Sequence, residues 1–262
     1  QIVPLLLALL LSLSFINIVN LYSIGYKMKI NLLIPCYNEG ESIEILYEKI
    51  KKFNENHKLD INFFILDNGS TDDTSQKLNL LKSNEKINFI KLIENKGYGY
   101  GIKFGLNEIS NADMVGWFHG DLQFEINNLV KIYEQIEDEI KKGDEFIFFK
   151  GIRYGRNSVS TIFSFLMGIF ATLFLRYRFY EINAQPTIFS SNLVSKLDMS
   201  PNDFSFDTYI YFLAKKNDFK FLRTKVSFPE REFGQSKWDF GLISKIKFSI
   251  KNIKYIIRLS RD

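Results

Sequence analysis

Between residues 29 and 150, short runs of Ile, Leu, Val and Phe alternate with longer amphipathic stretches. The runs at residues 31–34, 62–66, 89–93, 115–118 and 145–149 have the length and side-chain content of buried strands. The stretches between them are long enough for helices. This alternation predicts an α/β fold with a mostly parallel, doubly wound sheet covered by helices on both faces. Ligands in such sheets bind beyond the carboxyl ends of the strands. Residues 35–39, 67–71, 95–101 and 119–123 therefore carry most weight.

The pattern changes after residue 150. A basic loop leads into Ser158–Leu175, which has no charge and eleven large apolar side chains and is followed at once by Arg176 and Arg178. Eighteen residues is short for crossing a bilayer, so an interfacial or acceptor-lining helix is expected, with a buried core helix as the alternative. Leu242–Leu259 places Leu242, Ile246, Ile250, Ile253 and Ile257 on one helical stripe beside Lys247, Lys251, Lys254 and Arg258, with no acidic residue between Asp239 and Asp262. Such a basic amphipathic helix suits an anionic membrane surface; packing against the sheet is the alternative.

The first 26 residues lack charge, and residues 2–22 are apolar enough to span a bilayer. With no Lys or Arg ahead of this run and no small-x-small site after it, a cleavable signal peptide fits poorly. An anchor and an upstream fragment both stay open. As an anchor, the run followed by Lys27 and Lys29 would leave the remainder on the cytoplasmic side. The organisation expected is thus residues 1–27 as an apolar segment, 28–240 as the catalytic domain and 241–262 as the basic helix. The single cysteine, Cys36, excludes an internal disulfide and a zinc cluster and fits a reducing compartment. The net charge of +4 is modest, and nothing points to nucleic acid.

Four segments carry candidate chemistry. Asn31-Leu-Leu-Ile-Pro-Cys-Tyr-Asn-Glu39 ends a strand in a turn where Tyr37 can stack on a base and Glu39 can bind a ribose hydroxyl. In Ile65-Leu-Asp67-Asn-Gly-Ser-Thr-Asp-Asp-Thr74, Asp67 can accept a hydrogen bond from base or ribose, Gly69 permits the turn, and the residues after it can cap a helix. Asn95-Lys96-Gly97-Tyr-Gly-Tyr-Gly101 follows the third strand; its spacing breaks the dinucleotide fingerprint and excludes a Rossmann dehydrogenase. The fourth is Phe118-His-Gly-Asp-Leu-Gln123.

In this order and spacing the four resemble the family 2 glycosyltransferases of the GT-A fold. Within that family the likeness is to the polyprenyl-phosphate sugar transferases of the dolichol-phosphate mannosyltransferase type, whose metal motif reads Asp-x-Asp-Leu-Gln. It runs from about Met28 to Trp238. The resemblance implies that Pro35, Tyr37, Glu39 and Asp67 contact the nucleoside, with Lys96 and Gly97 near the donor. It implies that Asp121 and Gln123 hold Mg²⁺ or Mn²⁺ on the diphosphate. His119 stands in place of the motif's first acid; imidazole can bind Mn²⁺ or hydrogen-bond a phosphate or ribose. Lys150-Gly-Ile-Arg153-Tyr-Gly-Arg156 offers cations to the leaving diphosphate or a lipid phosphate. Glu181-Ile-Asn-Ala-Gln-Pro186 resembles the loop before the acceptor region, and Phe204-Ser-Phe-Asp207 the acidic acceptor-side motif, making Asp207 the candidate base. Arg231-Glu-Phe-Gly-Gln-Ser-Lys237 matches the family's Arg-x-x-Gly-x-Ser-Lys signature.

The expected activity is inverting, metal-dependent sugar transfer from a UDP- or GDP-linked donor to a polyprenyl phosphate at the cytoplasmic face of a membrane. A hydroxyl of a lipid-linked or surface glycan is the rival acceptor, and a catalytically silent nucleotide-sugar or lipid-phosphate binding protein the rival class.

Overall fold

The computed structural model describes residues 27–81, 83–155, 158–229 and 242–261. Seven strands form one sheet: β1 (Ile30–Cys36), β2 (Ile61–Asn68), β3 (Ile87–Leu92), β4 (Met114–Trp117), β5 (Ile147–Tyr154), β6 (Thr187–Ser190) and β7 (Lys220–Ser227). The helices are α1 (Ile43–Asn56), α2 (Thr74–Leu80), α3 (Tyr98–Glu108), α4 (Asn128–Lys141), α5 (Ser158–Leu175), α6 (Phe206–Lys216) and α7 (Leu242–Leu259). The strand order is β3-β2-β1-β4-β6-β5-β7, with β6 antiparallel to both neighbours and the other pairings parallel.

The period of two along the strands sorts side chains onto two apolar layers. On one face Leu32, Ile34, Ile65 and Phe149 pack with Ile43, Ile50, Leu129 and Ile136 of α1 and α4. On the other, Leu33, Val115, Trp117 and Phe148 pack with Ile102 of α3, Leu175 of α5, Ile210 of α6 and Ile256 of α7. Gly105 lets α3 lie close on β1, since a Cβ there would stand 2.5 Å from a Leu33 methyl.

Chain order explains where the site falls. From β1 the chain winds outward through β2 to β3, then returns to place β4 on the other side of β1. The crevice at this reversal, between the carboxyl ends of β1 and β4, is the topological switch point where doubly wound sheets bind ligands.

Strand β5 runs through Tyr154, five residues past its predicted end. Lys150 is paired with Thr187 on β6 and Arg223 on β7, so the ladder continues where the apolar run stops. Helix α5 has the predicted bounds, but its polarity is inverted. Gly168, Ala171 and Leu175 face the protein, while Ile162, Phe165, Leu166, Ile169 and Leu173 are exposed. Helix α7 lies against α5 and buries Asn252, Ile256 and Leu259, leaving Ile246 and Ile250 of the predicted stripe exposed. One side of α7 is thus core and the other is open. The apolar run at residues 2–22 lies outside the described residues.

Candidate active site

The loops after β1, β2, β3 and β4 converge on a cleft of about 700 Å³, open to solvent, at the switch point. Pro35, Cys36, Tyr37 and Glu39 form one wall; Asn68, Asn95, Gly97 and Tyr98 form the floor and far side, and His119, Gly120 and Phe204 complete it.

The first two loops are tied together. Asn38 donates its backbone N–H to the Ser70 hydroxyl at 2.9 Å, and its side-chain oxygen accepts the Thr71 N–H at 2.7 Å. The Asp67 carboxylate accepts the Ser70 backbone N–H at 2.9 Å and the Ser75 hydroxyl. It is buried and organises the turn, while its neighbour Asn68 lines the cleft and keeps a buried side-chain oxygen without a hydrogen-bond partner in the protein. Gly97 caps α3 at φ +111, a conformation suited to glycine, and a Cβ there would meet the Asn202 carbonyl oxygen at 2.4 Å. Lys96 is exposed at the rim with its ammonium 5.5 Å from the Tyr100 ring centre. The Cys36 thiol is pushed well above its usual range by burial and by the carboxylates of Glu39, Asp67 and Asp121, so it stays protonated as a packing residue.

Beyond β4, Asp121 is almost fully buried and accepts the Gln123 backbone N–H at 3.2 Å. Its Oδ2 lies 4.0 Å from His119 Nδ1. The Gln123 side-chain amide instead donates to the Pro229 carbonyl at 2.7 Å, tying this loop to the end of β7. Among the described residues no group of three His, Cys, Asp or Glu converges as a metal cage. A buried carboxylate at a strand end fits a divalent cation that takes most of its oxygen ligands from a diphosphate and water, as Mg²⁺ does.

A buried polar cluster lies directly beneath the cleft. Lys150, on the same sheet face as Phe148, is fully buried; its ammonium donates to the Thr187 hydroxyl at 2.7 Å and lies 3.5 Å from Asp207 Oδ1. Burial lowers its pKa to about 8 even though the Asp207 carboxylate opposes the shift; Arg223 and Arg153 add to the lowering. Asp207, in the first turn of α6, is buried as well, where the helix amide dipoles favour a carboxylate. The Tyr98 hydroxyl joins this pair to the cleft: it accepts the Trp117 indole N–H at 3.2 Å and lies 3.1 Å from His119 Nε2. Burial, then the Asp207 charge, push the Tyr98 pKa well above its usual value, so the phenol stays neutral.

The contacts of the cationic and acidic residues expected near the acceptor are internal. Asp207 is buried in its ion pair with Lys150. Lys150 is internal. Arg153 donates Nε to Glu181 Oε2 at 2.7 Å, both side chains nearly buried, and so ties β5 to the loop before β6. Arg156, Arg231, Lys237 and Trp238 lie outside the described residues. Sequence reasoning missed the roles of Tyr98, Asn68 and Gln185 in and around the cleft. All three lay inside the motifs singled out above, yet Tyr98 and Gln185 find their partners far along the chain.

A sheet of six parallel strands and one antiparallel strand, with its cleft at the β1/β4 reversal and a carboxylate after β4, has the architecture of the GT-A fold. Comparison with solved structures agrees. Glucosyl-3-phosphoglycerate synthase from Mycobacterium tuberculosis, in complex with Mn²⁺, UDP and glucosyl-3-phosphoglycerate, aligns with a TM-score of 0.64 at 14% identity, covering 93% of this chain and 83% of that one. The mannosyltransferase PcManGT from Pyrobaculum calidifontis, in complex with GDP-Man and Mn²⁺, aligns with a TM-score of 0.55 at 12% identity, covering 90% and 74%. The sequence profile of Glycosyl transferase family 2 matches residues 32–186, and the chain belongs to that family. An undecaprenyl-phosphate 4-deoxy-4-formamido-L-arabinose transferase from Photorhabdus laumondii is 25% identical over 232 residues, 85% of this chain and 66% of that protein. A putative glycosyltransferase, CsbB, from Bacillus subtilis is 28% identical over 127 residues (45% and 38%), and a dolichol-phosphate mannosyltransferase from Pyrococcus furiosus 29% over 122 residues (46% and 34%). The chain thus spans between 34% and 66% of the length of these curated relatives.

Proposed function

We propose that this glycosyltransferase moves a sugar, with inversion, from a UDP- or GDP-linked donor to a polyprenyl phosphate at a membrane surface. The observation that carries the acceptor choice is the state of Asp207. Transfer to a sugar hydroxyl needs a carboxylate beside the nucleophile to take its proton, whereas a phosphate acceptor arrives ionised and needs positioning. Asp207 is buried against Lys150 and Tyr98, and Glu39 is the one carboxylate among the described residues that line the cleft. It stands on the wall assigned to the nucleoside. The names of the undecaprenyl-phosphate and dolichol-phosphate relatives support the same acceptor class.

In this reading Tyr37 and Pro35 flank the base, Asn68 lines the cleft beside the nucleoside, and the N-terminal end of α3 at Gly97 faces the diphosphate. Asp121 would hold Mg²⁺ or Mn²⁺, which when bound neutralises charge growing on the leaving diphosphate. The test is nucleotide release from UDP-glucose, UDP-GlcNAc and GDP-mannose with Mn²⁺, with and without undecaprenyl phosphate. Lipid-dependent release from one donor is the expected result. Release that requires a glycan hydroxyl instead identifies the rival acceptor, and metal-dependent donor binding without any transfer identifies a silent binding protein.

The outer face of α5 supports the membrane. A helix with mean hydropathy 2.0 over 18 residues and only 17% of them buried presents its apolar side outward. Arg176 and Arg178 follow it, and Lys247, Lys254 and Arg258 are exposed on the neighbouring α7. Apolar insertion plus attraction to anionic headgroups is the physics of an interfacial helix. Replacing Phe165 and Leu166 together by Glu should weaken flotation with phosphatidylglycerol vesicles about ten-fold or more, with unchanged circular dichroism. Unchanged flotation would remove α5 from the membrane.

A further inference from the structure

The run Gly97-Tyr98-Gly99 begins α3 at the cleft, and the reason for its glycines lies across the chain at residues 201–204. A Cβ at Gly99 would overlap the carbonyl oxygens of Pro201 and Asp203, as one at Gly97 would that of Asn202. The Asn202 carbonyl also accepts the Tyr100 backbone N–H at 3.2 Å, taking up one of the amides that a helix start leaves free. Two residues on, Phe204 stacks on the Tyr98 ring with centres 4.4 Å apart and lines the cleft. One side of this loop therefore belongs to the cleft. The other side belongs to α7. Phe248 meets the Phe204 ring at 65°, with centres 5.6 Å apart, and Lys251 pairs with Asp203 Oδ2 at 2.8 Å. Three residues apart, Phe248 and Lys251 are neighbours on one face of the helix. Asp203 Oδ1 in turn accepts the Ser205 backbone N–H at 2.8 Å, at the start of α6. Further along α7, Ile256 and Leu259 anchor the helix in the core.

We propose that α7 is part of the donor site: Phe248 and Lys251 hold the 201–204 loop on the glycine face of α3 and so set the Phe204 wall of the cleft. Gly97 and Gly99 permit the close approach but offer no side chains to clasp the loop. Phe248 and Lys251 supply that clasp from the outside. Phe204 is already in stacking contact with Tyr98, so the movement open to it is away from the cleft, and Phe248 lies against it there. A wall held in place before the nucleotide arrives need not be ordered on binding, whereas a loose one must be. Phe248 and Lys251 act through Phe204 and Asp203 and are positioning residues. The inference rests on the reading of this cleft as the donor site and is independent of the acceptor.

The experiment is calorimetric titration of the full chain with UDP and with GDP in the presence of Mn²⁺, following whichever nucleotide the wild type binds. Phe248→Ala should weaken that binding about five-fold or more. Ile256→Val trims the buried part of the same helix, at a cost to stability, and should bind as the wild type does. Lys251 is mostly exposed, so changing it leaves the fold intact. Lys251→Glu sets like charges together at Asp203 and should weaken binding about three-fold relative to the wild type, a ratio that shrinks as salt is raised. Lys251→Arg keeps the pair and the affinity. Equal affinity in Phe248→Ala and the wild type, an equal loss in Ile256→Val, or a Lys251→Glu variant that binds as well as Lys251→Arg would each overturn the inference and leave the donor site standing. A wild type that binds neither nucleotide would overturn the reading of the cleft as a UDP- or GDP-sugar site, and the inference with it.

Discussion

Asp121→Ala will lower sugar transfer by about a thousand-fold or more, on the order of 4 kcal/mol of transition-state stabilisation, while the protein stays folded. The loss follows from charge: in the proposed reaction the donor's diphosphate departs with growing negative charge, and Asp121 is the buried carboxylate of its motif beyond β4. Asp121→Asn separates this from packing: it keeps the volume and the oxygen that accepts the Gln123 backbone N–H, yet removes the charge. Both variants should show the wild-type near-ultraviolet circular dichroism and lose the metal dependence of nucleotide binding. A folded variant with undiminished transfer would take the cation away from Asp121.

The second large effect is on stability. Lys150→Met will destabilise the protein by about 3–5 kcal/mol, because Asp207 is left as a buried carboxylate without its counter-ion. Adding Asp207→Asn should recover more than half of that loss. The amide removes the unpaired charge and retains an oxygen for the Tyr98 hydroxyl, which already contributes to the environment of Asp207. Urea unfolding with an unchanged m-value reads both terms. A double variant no more stable than Lys150→Met would mean that the two side chains are not coupled.

The same pair carries a pH dependence with a definite sign. The folded-state pKa of Lys150 is lowered from 10.5 to about 8, so between those values the unfolded chain binds more protons than the folded one. The contribution of this group to stability therefore rises with pH through that window and is flat below it, where both states are charged. Subtracting the Lys150→Met profile from the wild-type profile isolates the effect. A difference that falls between pH 8 and 10.5 would contradict the buried ammonium.

Much of the fold was legible because it is written in local patterns. The five predicted strands all exist, since within them residues 32–34 and 63–66 are uninterrupted apolar runs with side chains taken up by both faces, as in parallel strands. Strand β6 escaped notice because only Ile188 and Phe189 of its four residues are apolar, and β7 because Lys220, Arg223 and Lys225 give an edge strand a polar appearance. The loops that form the cleft were legible for a related reason. In a doubly wound sheet, the position of a loop after its strand already states which end of the molecule it occupies.

The state of each functional side chain was a different matter. Gln185 and His119 are 66 residues apart, and Lys150 and Thr187 are 37 apart. Nothing in the spacing of a basic triplet says that its first member points inward beside Phe148; that depended on β5 continuing between β6 and β7. Nor does the uncharged stretch Ser158–Leu175 say which side turns outward, until Gly168 and Ala171 are seen to sit against the protein. The sequence by itself determined the family, the doubly wound sheet and the loops that build the cleft, because periodicity and short motifs are properties of neighbours in the chain. Only the tertiary structure decided the burial of the Lys150–Asp207 pair, the partners of His119 and the outward apolar face of α5. Charge state, hydrogen bonding and exposure depend on neighbours in space, and the chain brings those together only on folding.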